Sequence, residues 1–147
     1  MSAKVFVDTN ILVYSRDDSE AEKQVIAQQW LAFLWQQRTG RVSAQSLNEY
    51  YIKVTQRLKP GRSRPDAHND VRNLASWNPL PVDFIVIENA WQIQDRYQFS
   101  WWDSLIVSAA QIQDCSILLS EDMQDEQLIG NMQIINPFKH DISVLGD

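Results

Sequence analysis

Cysteine and long hydrophobic runs are scarce in this chain, and each scarcity excludes a class of protein. The single cysteine, Cys115, permits no intramolecular disulfide, and its place between a helical pattern and an apolar run is typical of a buried free thiol. No apolar run reaches the roughly 20 residues that a membrane span needs, and the first residues lack the apolar core of a signal peptide. We therefore expect a cytoplasmic protein without membrane contact.

Positive charge is also in short supply. The chain has 13 Lys and Arg residues against 19 Asp and Glu residues, which gives a net charge of −6. The overall field of such a protein does not attract a polyanion. A function on nucleic acid therefore requires a local basic patch, or metal ions that reverse the sign of an acidic pocket.

The chain has enough apolar residues to build one core. It is 147 residues long, and 44% of the residues are apolar, which is the size and composition of an ordinary domain. The sequence contains no internal repeat, low-complexity tract or interdomain linker. We expect a single domain over residues 1–147.

Short apolar runs alternate with helical patterns along the chain. The predicted strands lie near residues 5–7, 41–44, 82, 116–120 and 132–136. The predicted helices lie near residues 11–14, 20–38, 46–58, 66–77 and 100–112, with a further helix after the strand near residue 82 that includes residues 90–97. This alternation favours the α/β class, here as an α/β/α sandwich. We expect a mostly parallel sheet of four or five strands with helices on both faces.

The first predicted strand stops abruptly at Asp8. Its apolar run, Val5 to Val7, is typical of a central strand buried on both faces. Open α/β sheets bind ligands at the carboxyl ends of their strands, so Asp8 is a candidate metal-binding or catalytic carboxylate. It is equally a candidate N-cap for the helix that follows.

Three further acids occupy comparable positions. Asp122 follows another apolar strand, and Glu49 and Asp103 lie in the first turns of predicted helices. The carboxyl ends of parallel strands and the starts of the following helices share one edge of a sheet. All four acids could therefore converge at that edge.

Each of these three acids also has a structural explanation. Ser46-x-x-Glu49 fits a helix capping box, and Ser100-x-x-Asp103 resembles one with a shorter acid. Asp122 could be an ordinary turn residue. The combination of four carboxylates favours a functional site, because such a cluster repels itself unless cations bind.

The ligand types restrict the metal. Histidine and cysteine are absent from the four acidic segments, which argues against zinc. An all-oxygen site suits Mg²⁺, with Mn²⁺ as a substitute. Such ions can activate a water molecule for phosphodiester cleavage and stabilise the leaving oxygen.

Four segments that carry these acids resemble the four motifs of the PIN domain family. They are Val7-Asp8-Thr9-Asn10-Ile11-Leu12, Ser46-x-x-Glu49-Tyr50, Trp102-Asp103-Ser104-Leu105-Ile106 and Leu119-Ser120-Glu121-Asp122. Their order and spacing are similar to those of VapC-like toxins from type II toxin–antitoxin pairs. The resemblance implies a Mg²⁺-dependent endoribonuclease that acts on RNA, forms a homodimer and is blocked by a cognate antitoxin.

The resemblance also assigns roles to individual residues. It makes Asp8, Glu49 and Asp103 the core metal-site acids and Asp122 the fourth, with Asp125 as a rival for that place. Supporting roles would fall to three polar residues around these acids: Thr9 and Asn10 beside Asp8, and Ser120 as a small hydroxyl that steadies the site. The implied cleavage is an in-line attack by an activated water that leaves 5′-phosphate and 3′-hydroxyl ends.

Two other features have functional interpretations. A basic segment offers an RNA-backbone patch or merely a solvated helix end and loop; its candidate RNA-binding residues are Arg57, Lys59, Arg62 and Arg64. Of Trp101 and Trp102, we expect one in the core and the other at the mouth of the site. The helix around Trp91 and Tyr97 is a candidate dimer contact.

Two other functions remain open. One is a housekeeping PIN nuclease that processes RNA without an antitoxin. The other is a catalytically silent PIN-like binding module, against which the complete set of acids argues. A dehalogenase-type phosphatase fits poorly, because it needs a second aspartate where Asn10 stands.

Overall fold

A five-stranded sheet lies at the centre of the computed structural model, which describes residues 3–146. Its strands are β1 (Val5–Val7), β2 (Gly40–Arg41), β3 (Ile117–Leu119), β4 (Leu128–Ile129) and β5 (Met132–Ile135). Their order is β2-β1-β3-β5-β4, and every pairing is parallel except that of β4 with β5. The predicted mostly parallel α/β sheet is confirmed. The predicted domain limits, residues 1 and 147, lie outside the described residues.

Six α-helices surround the sheet in the described part of the chain. They are α1 (Thr9–Tyr14), α2 (Ala21–Gln37), α3 (Ala44–Gln56), α4 (Arg64–Leu74), α5 (Phe84–Tyr97) and α6 (Trp101–Ile112). Short 3₁₀ helices lie at Ala75–Trp77, directly after α4, and at Ile142–Leu145, after β5. No helix among residues 3–146 has the length and apolarity to cross a membrane.

The central strand β1 is buried on both faces, because its successive side chains enter different cores. Val5 and Val7 pack with Trp30 and other residues of the helices on one face, whereas Phe6 packs with Ile106 on the opposite face. Alternate side chains of a strand point to opposite sides of the sheet. The continuous apolar runs of β1 and β3 therefore place these strands centrally, as predicted.

The structure differs from the sequence prediction at the sheet edges. The strand predicted near Val82 is wrong: Leu80 forms only an isolated bridge with Ser43, and Asp83 already caps α5 by accepting from the Val86 N–H at 3.2 Å. The second strand is also shifted, to Gly40–Arg41. β4 was not predicted, since a two-residue edge strand has almost no periodic signal.

The lone thiol behaves as predicted. Cys115 is buried and unpaired, and burial raises the pKa of its thiol to about 12. A thiol that stays protonated is a poor nucleophile. Cys115 is therefore a packing residue.

Candidate functional site

Asp8 lies where β1 ends and α1 begins. It is the N-cap of α1, since its Oδ1 accepts a hydrogen bond from the Thr9 N–H at 2.8 Å. Its Oδ2 accepts from the Ser120 hydroxyl at 2.9 Å. Ser120 directly follows β3, which pairs with β1 in parallel register. Both oxygens of this buried carboxylate are thus oriented by the two central strands.

Glu49 lies in the second turn of α3 and has no capping role. The N-cap of α3 is Ser43, whose Oγ accepts from the Ser46 N–H at 3.2 Å, so the capping-box interpretation of Glu49 is wrong. Its carboxylate accepts from the Thr9 hydroxyl at 3.3 Å and from the Gln45 amide at 2.9 Å. These bonds hold Glu49 against the start of α1.

Asp103 combines a helix-start position with an available carboxylate. The Oγ of Ser100, the N-cap of α6, accepts from the Asp103 N–H at 3.1 Å. This is half of the predicted capping box, and it uses the backbone of Asp103. The side chain of Asp103 is half-buried and lies close enough to Glu49 and Asp122 to feel their charge.

Asp122 lies in the loop after β3 and is bound by a side chain of α1. The Asn10 amide donates a hydrogen bond to Asp122 Oδ2. The ammonium of Lys53 in turn donates to Asn10 Oδ1 at 3.2 Å. We expected Thr9 and Asn10 to support Asp8, but their side chains instead bind Glu49 and Asp122.

Lys53 is a residue of the site that the sequence did not reveal. Because it lies one helical turn after Glu49, its side chain projects on the same side of α3. That spacing was the available signal. The link from Lys53 to Asp122 runs through Asn10, which is far from both residues in the sequence.

The ionisation of the acids reports their proximity. Burial raises the pKa of Asp8 to about 6; the bonds from Ser120 and Thr9 partly oppose this rise, and the charges of Asp103 and Asp122 add to it. Burial also raises the pKa of Asp103, as do the charges of Asp122 and Glu49. Asp8, Asp103 and Asp122 therefore lie within electrostatic reach of one another, and Glu49 lies within reach of Asp103.

The four carboxylates form an open group. Within residues 3–146, one set of three His, Cys, Asp or Glu side chains has ligand atoms all within 4.8 Å of one another, and it is Asp125, Glu126 and His140. The predicted acids are more widely spaced than this. Their donor set is nevertheless all oxygen and its carboxylates repel, which fits a hard divalent cation such as Mg²⁺.

Asp125, the rival fourth acid, is engaged elsewhere. Its Oδ1 accepts from the Asn136 N–H at 2.8 Å, and its Oδ2 lies 2.8 Å from His140 Nε2. These contacts tie the loop after β3 to the segment after β5. Glu121, which lies nearer to β3 in the same loop, also faces away from the other acids, because it binds Lys23 and Tyr14.

The basic segment divides into residues with different partners. Arg62 Nε lies 2.6 Å from Asp70 Oδ2, and the buried Asp70 also binds Arg16 at 3.0 Å and the Tyr50 hydroxyl at 2.7 Å. Arg62 is thus part of an ion-pair network that joins α1, α3 and α4. The other three predicted RNA-binding residues are exposed: Arg57 after α3, Lys59 in the following loop and Arg64 at the start of α4.

A groove of about 850 Å³ runs along α3, and Glu49 is one of the residues that line it. Two cations, Lys53 and Arg57, line it, and Trp102 lines its other side. Trp102 is 64% exposed, whereas Trp101 packs against the core. The expectation that one tryptophan is in the core and the other near the site therefore agrees with the structure.

Comparisons with known proteins identify the family. A solved toxin-antitoxin complex from Klebsiella pneumoniae is similar in fold, with a TM-score of 0.65 and 16% identity over 91% of this chain and 98% of the matched chain. A search of curated proteins finds no match. A family model described as the PIN domain matches residues 5–126, a span that contains all four acids. Since this match covers most of the sequence, the chain belongs to the PIN domain family, whose members are generally nucleases.

Proposed function

We propose that this protein is a Mg²⁺-dependent endoribonuclease and the toxin of a toxin–antitoxin module. The observation that carries the proposal is the convergence of four carboxylates from separate parts of the chain. Burial raises the pKa of Asp8 to about 6, and the charges of Asp103 and Asp122 add to this rise. A self-repelling group of acids with one member, Asp8, buried is costly for a fold. A cation-dependent function explains why the chain retains it.

The proposed site assigns the acids to the metal. Asp8, Glu49, Asp103 and Asp122 would hold Mg²⁺, which when bound activates water and neutralises the charge that develops on the phosphate. Ser120 and the Thr9 N–H orient the two oxygens of Asp8. Asn10 orients Asp122, and Thr9 orients Glu49. One of these carboxylates accepts the proton of the attacking water.

The proposed partners are a cognate antitoxin and a second copy of the chain. The similar solved structure from Klebsiella pneumoniae is a toxin-antitoxin complex, which supports an antitoxin here. An exposed apolar surface at the start of α5 supports a homodimer: Phe84 is 62%, Ile85 67% and Trp91 48% exposed. Tyr97, the other predicted contact residue, instead packs against the core. We propose a cytoplasmic location for the complex.

Cleavage of RNA by the purified protein tests the enzymatic proposal. Total RNA is incubated with Mg²⁺, with Mn²⁺ and with EDTA, and the product ends are mapped. We expect 5′-phosphate and 3′-hydroxyl ends with either metal and intact RNA with EDTA. Products with 2′,3′-cyclic phosphate ends, or cleavage that survives EDTA, would contradict the proposal.

The Asp8→Asn variant is the matched control, because it keeps the shape of the side chain and removes its charge. It should lower cleavage at least about 100-fold, as expected for a group that holds the metal. A housekeeping nuclease would give the same result in vitro. Growth arrest on expression that a small neighbouring gene relieves would distinguish the toxin from it.

A further inference from the structure

We infer that the groove along α3 binds single-stranded RNA, with an unpaired base stacked on Trp102 and the backbone phosphates on Lys53 and Arg57. This inference rests on the proposed function and goes beyond it, because it names the side chains that would hold the RNA strand beside the acids. The residues that line the groove support the inference. They are Ala44, Gln45, Asn48, Glu49, Lys53, Arg57, Val82 and Trp102.

The position of Trp102 connects the groove with the acids. Trp102 immediately precedes Asp103, and 64% of its surface is exposed. Exposing so much of an indole ring to water is unfavourable, and a stacked base would cover it. Because Asp103 belongs to the four-acid group, a base on Trp102 would lie next to the phosphodiester at that group.

The cations of the groove suit a phosphate backbone. Glu49, Lys53 and Arg57 recur at four-residue intervals along α3, and all three line the groove. Side chains at this spacing share one side of a helix. The groove thus has two cations for one carboxylate, within a chain whose net charge is −6, so a polyanion is attracted here in particular.

The charge pattern favours RNA over a protein as the occupant. A second copy of this chain could also cover Val82 and Trp102, whereas a nucleic-acid strand brings both a base for Trp102 and regularly spaced phosphates for Lys53 and Arg57. Gln45 and Asn48 add amide groups that can bond to the edges of unpaired bases. A duplex keeps its bases stacked inside and could not offer one to Trp102.

Binding measurements on non-cleaving protein test the inference. Every variant carries Asp8→Asn, and fluorescence anisotropy follows a labelled 12-nucleotide RNA in Mg²⁺, free or annealed to its complement. We expect single strands to bind at least about tenfold more tightly than the duplex. Trp102→Leu should weaken single-strand binding at least about fivefold, while Trp102→Phe retains most of it, since only an aromatic side chain stacks on a base.

The charged residues are tested through the salt dependence of binding. Lys53→Gln and Arg57→Gln should each reduce the slope of log K against log salt by about 0.7. Arg96→Gln, which changes the net charge equally on the exposed surface of α5, should leave the slope unchanged. Equal slopes in all three variants would overturn the role of Lys53 and Arg57.

The remaining outcomes separate this inference from the proposed function. If the unsubstituted protein cleaves RNA but Trp102→Leu binds as tightly as Trp102→Phe, the inference is overturned and the nuclease stands. If Trp102→Leu changes the oligomeric state in light scattering without changing RNA affinity, the groove is a protein interface and the inference is again overturned. If the unsubstituted protein neither binds nor cleaves RNA, both fail.

Discussion

Asp8 serves two purposes that the sequence presented as alternatives. One of its oxygens caps α1 through the Thr9 N–H, and the other accepts from Ser120. Carboxylate oxygens have more lone pairs than these two bonds use. One side chain can therefore be both a helix cap and a cation ligand, and the position of Asp8 at the end of β1 allows both.

The buried charge of Asp8 should make the metal-free protein less stable as the pH rises. The folded chain holds a proton on Asp8 up to a pKa of about 6, whereas the ordinary value is 3.8. Because the folded state binds this proton more tightly, the free energy of unfolding falls as the pH rises from about 4 to 6. The gap corresponds to about 3 kcal/mol of stability, which is present below about pH 4 and fully lost above about pH 6.

The Asp8→Asn variant isolates this effect. In EDTA, urea unfolding should show the variant to be about 1–3 kcal/mol more stable than the unsubstituted chain at pH 7.5 and nearly equal to it at pH 4. The Asn side chain can still accept from Thr9 N–H, so the cap survives. A large loss of stability in the variant at pH 7.5 would show that Asp8 acts chiefly as a cap.

Successive side chains of the loop after β3 point in different directions. Ser120 and Asp122 face the acid group, while Glu121 between them contacts α1 and α2. The Glu121 carboxylate accepts from the Tyr14 hydroxyl at 2.6 Å and pairs with Lys23. Glu121 thus holds the loop that carries Asp122 against α1 and α2.

Removing the charge of Glu121 should lower the free energy of unfolding slightly, and the loss should depend on salt. Glu121→Gln keeps an acceptor for Tyr14 but loses the charge that attracts Lys23. Lys23 is 35% exposed, so solvent weakens the pair and we expect a stability loss below about 1 kcal/mol. Urea unfolding should show the loss at low salt and a smaller one in 1 M NaCl. Glu22→Gln, exposed on α2, is the control, and an equal loss there would contradict this role of Glu121.

A second connection between elements is the ion-pair network of Asp70. This buried carboxylate joins Arg16 and Arg62 and accepts from Tyr50. Removing one partner of a buried ion pair leaves the opposite charges uncompensated. The network therefore fixes α4 against the helices that carry the acid group.

Asp70→Asn should consequently destabilise the fold. We expect a loss of about 1–3 kcal/mol in the free energy of unfolding, measured by urea denaturation, because Asp70 is buried whereas Arg16 and Arg62 are partly exposed. Asp95→Asn, on the exposed surface of α5, should change stability by less than about 0.5 kcal/mol. Similar values for the two variants would mean that the network contributes no stability. Charge reversal at Arg62 would disturb the same network, so Arg57 and Arg64 are better probes of RNA binding.

At the scale of the whole molecule, an acidic chain must bring a polyanion to an acidic pocket. The net charge is −6, and the four acids concentrate negative charge at one edge of the sheet. A divalent cation there would remove the repulsion between the carboxylates and make the pocket accept a phosphate. Metal binding should therefore couple to stability as well as to activity.

Thermal unfolding measures this coupling. Mg²⁺ at about 100 times its dissociation constant should stabilise the unsubstituted protein by about 2.7 kcal/mol. NaCl at the same ionic strength is the control for screening. Mg²⁺ should stabilise the Asp8→Asn variant much less. The variant should therefore be more stable than the unsubstituted protein in EDTA but no longer so when Mg²⁺ is added. An equal response to Mg²⁺ in both proteins would place the cation away from Asp8 and favour a silent binding module.

Much of the fold could be predicted because its signals are local. The apolar runs of β1 and β3 identified central strands, and helical periodicity located α2, α3 and α6 within a few residues. β4 was missed and β2 was predicted too late in the chain, since two-residue strands at the edge of a sheet depend on their neighbours. The strand predicted near Val82 was wrong because the chain there meets the sheet through Leu80 alone.

The sequence by itself determined the fold class and the four acidic positions, because strand ends, helix starts and motif spacing are properties of nearby residues. Only the tertiary structure decided the contacts made across long stretches of chain. Lys53 reaches Asp122 through Asn10, and Arg62 binds Asp70 instead of remaining free for RNA. Which charge neutralises which depends on distances of a few ångströms in space, and separation along the chain does not fix those distances.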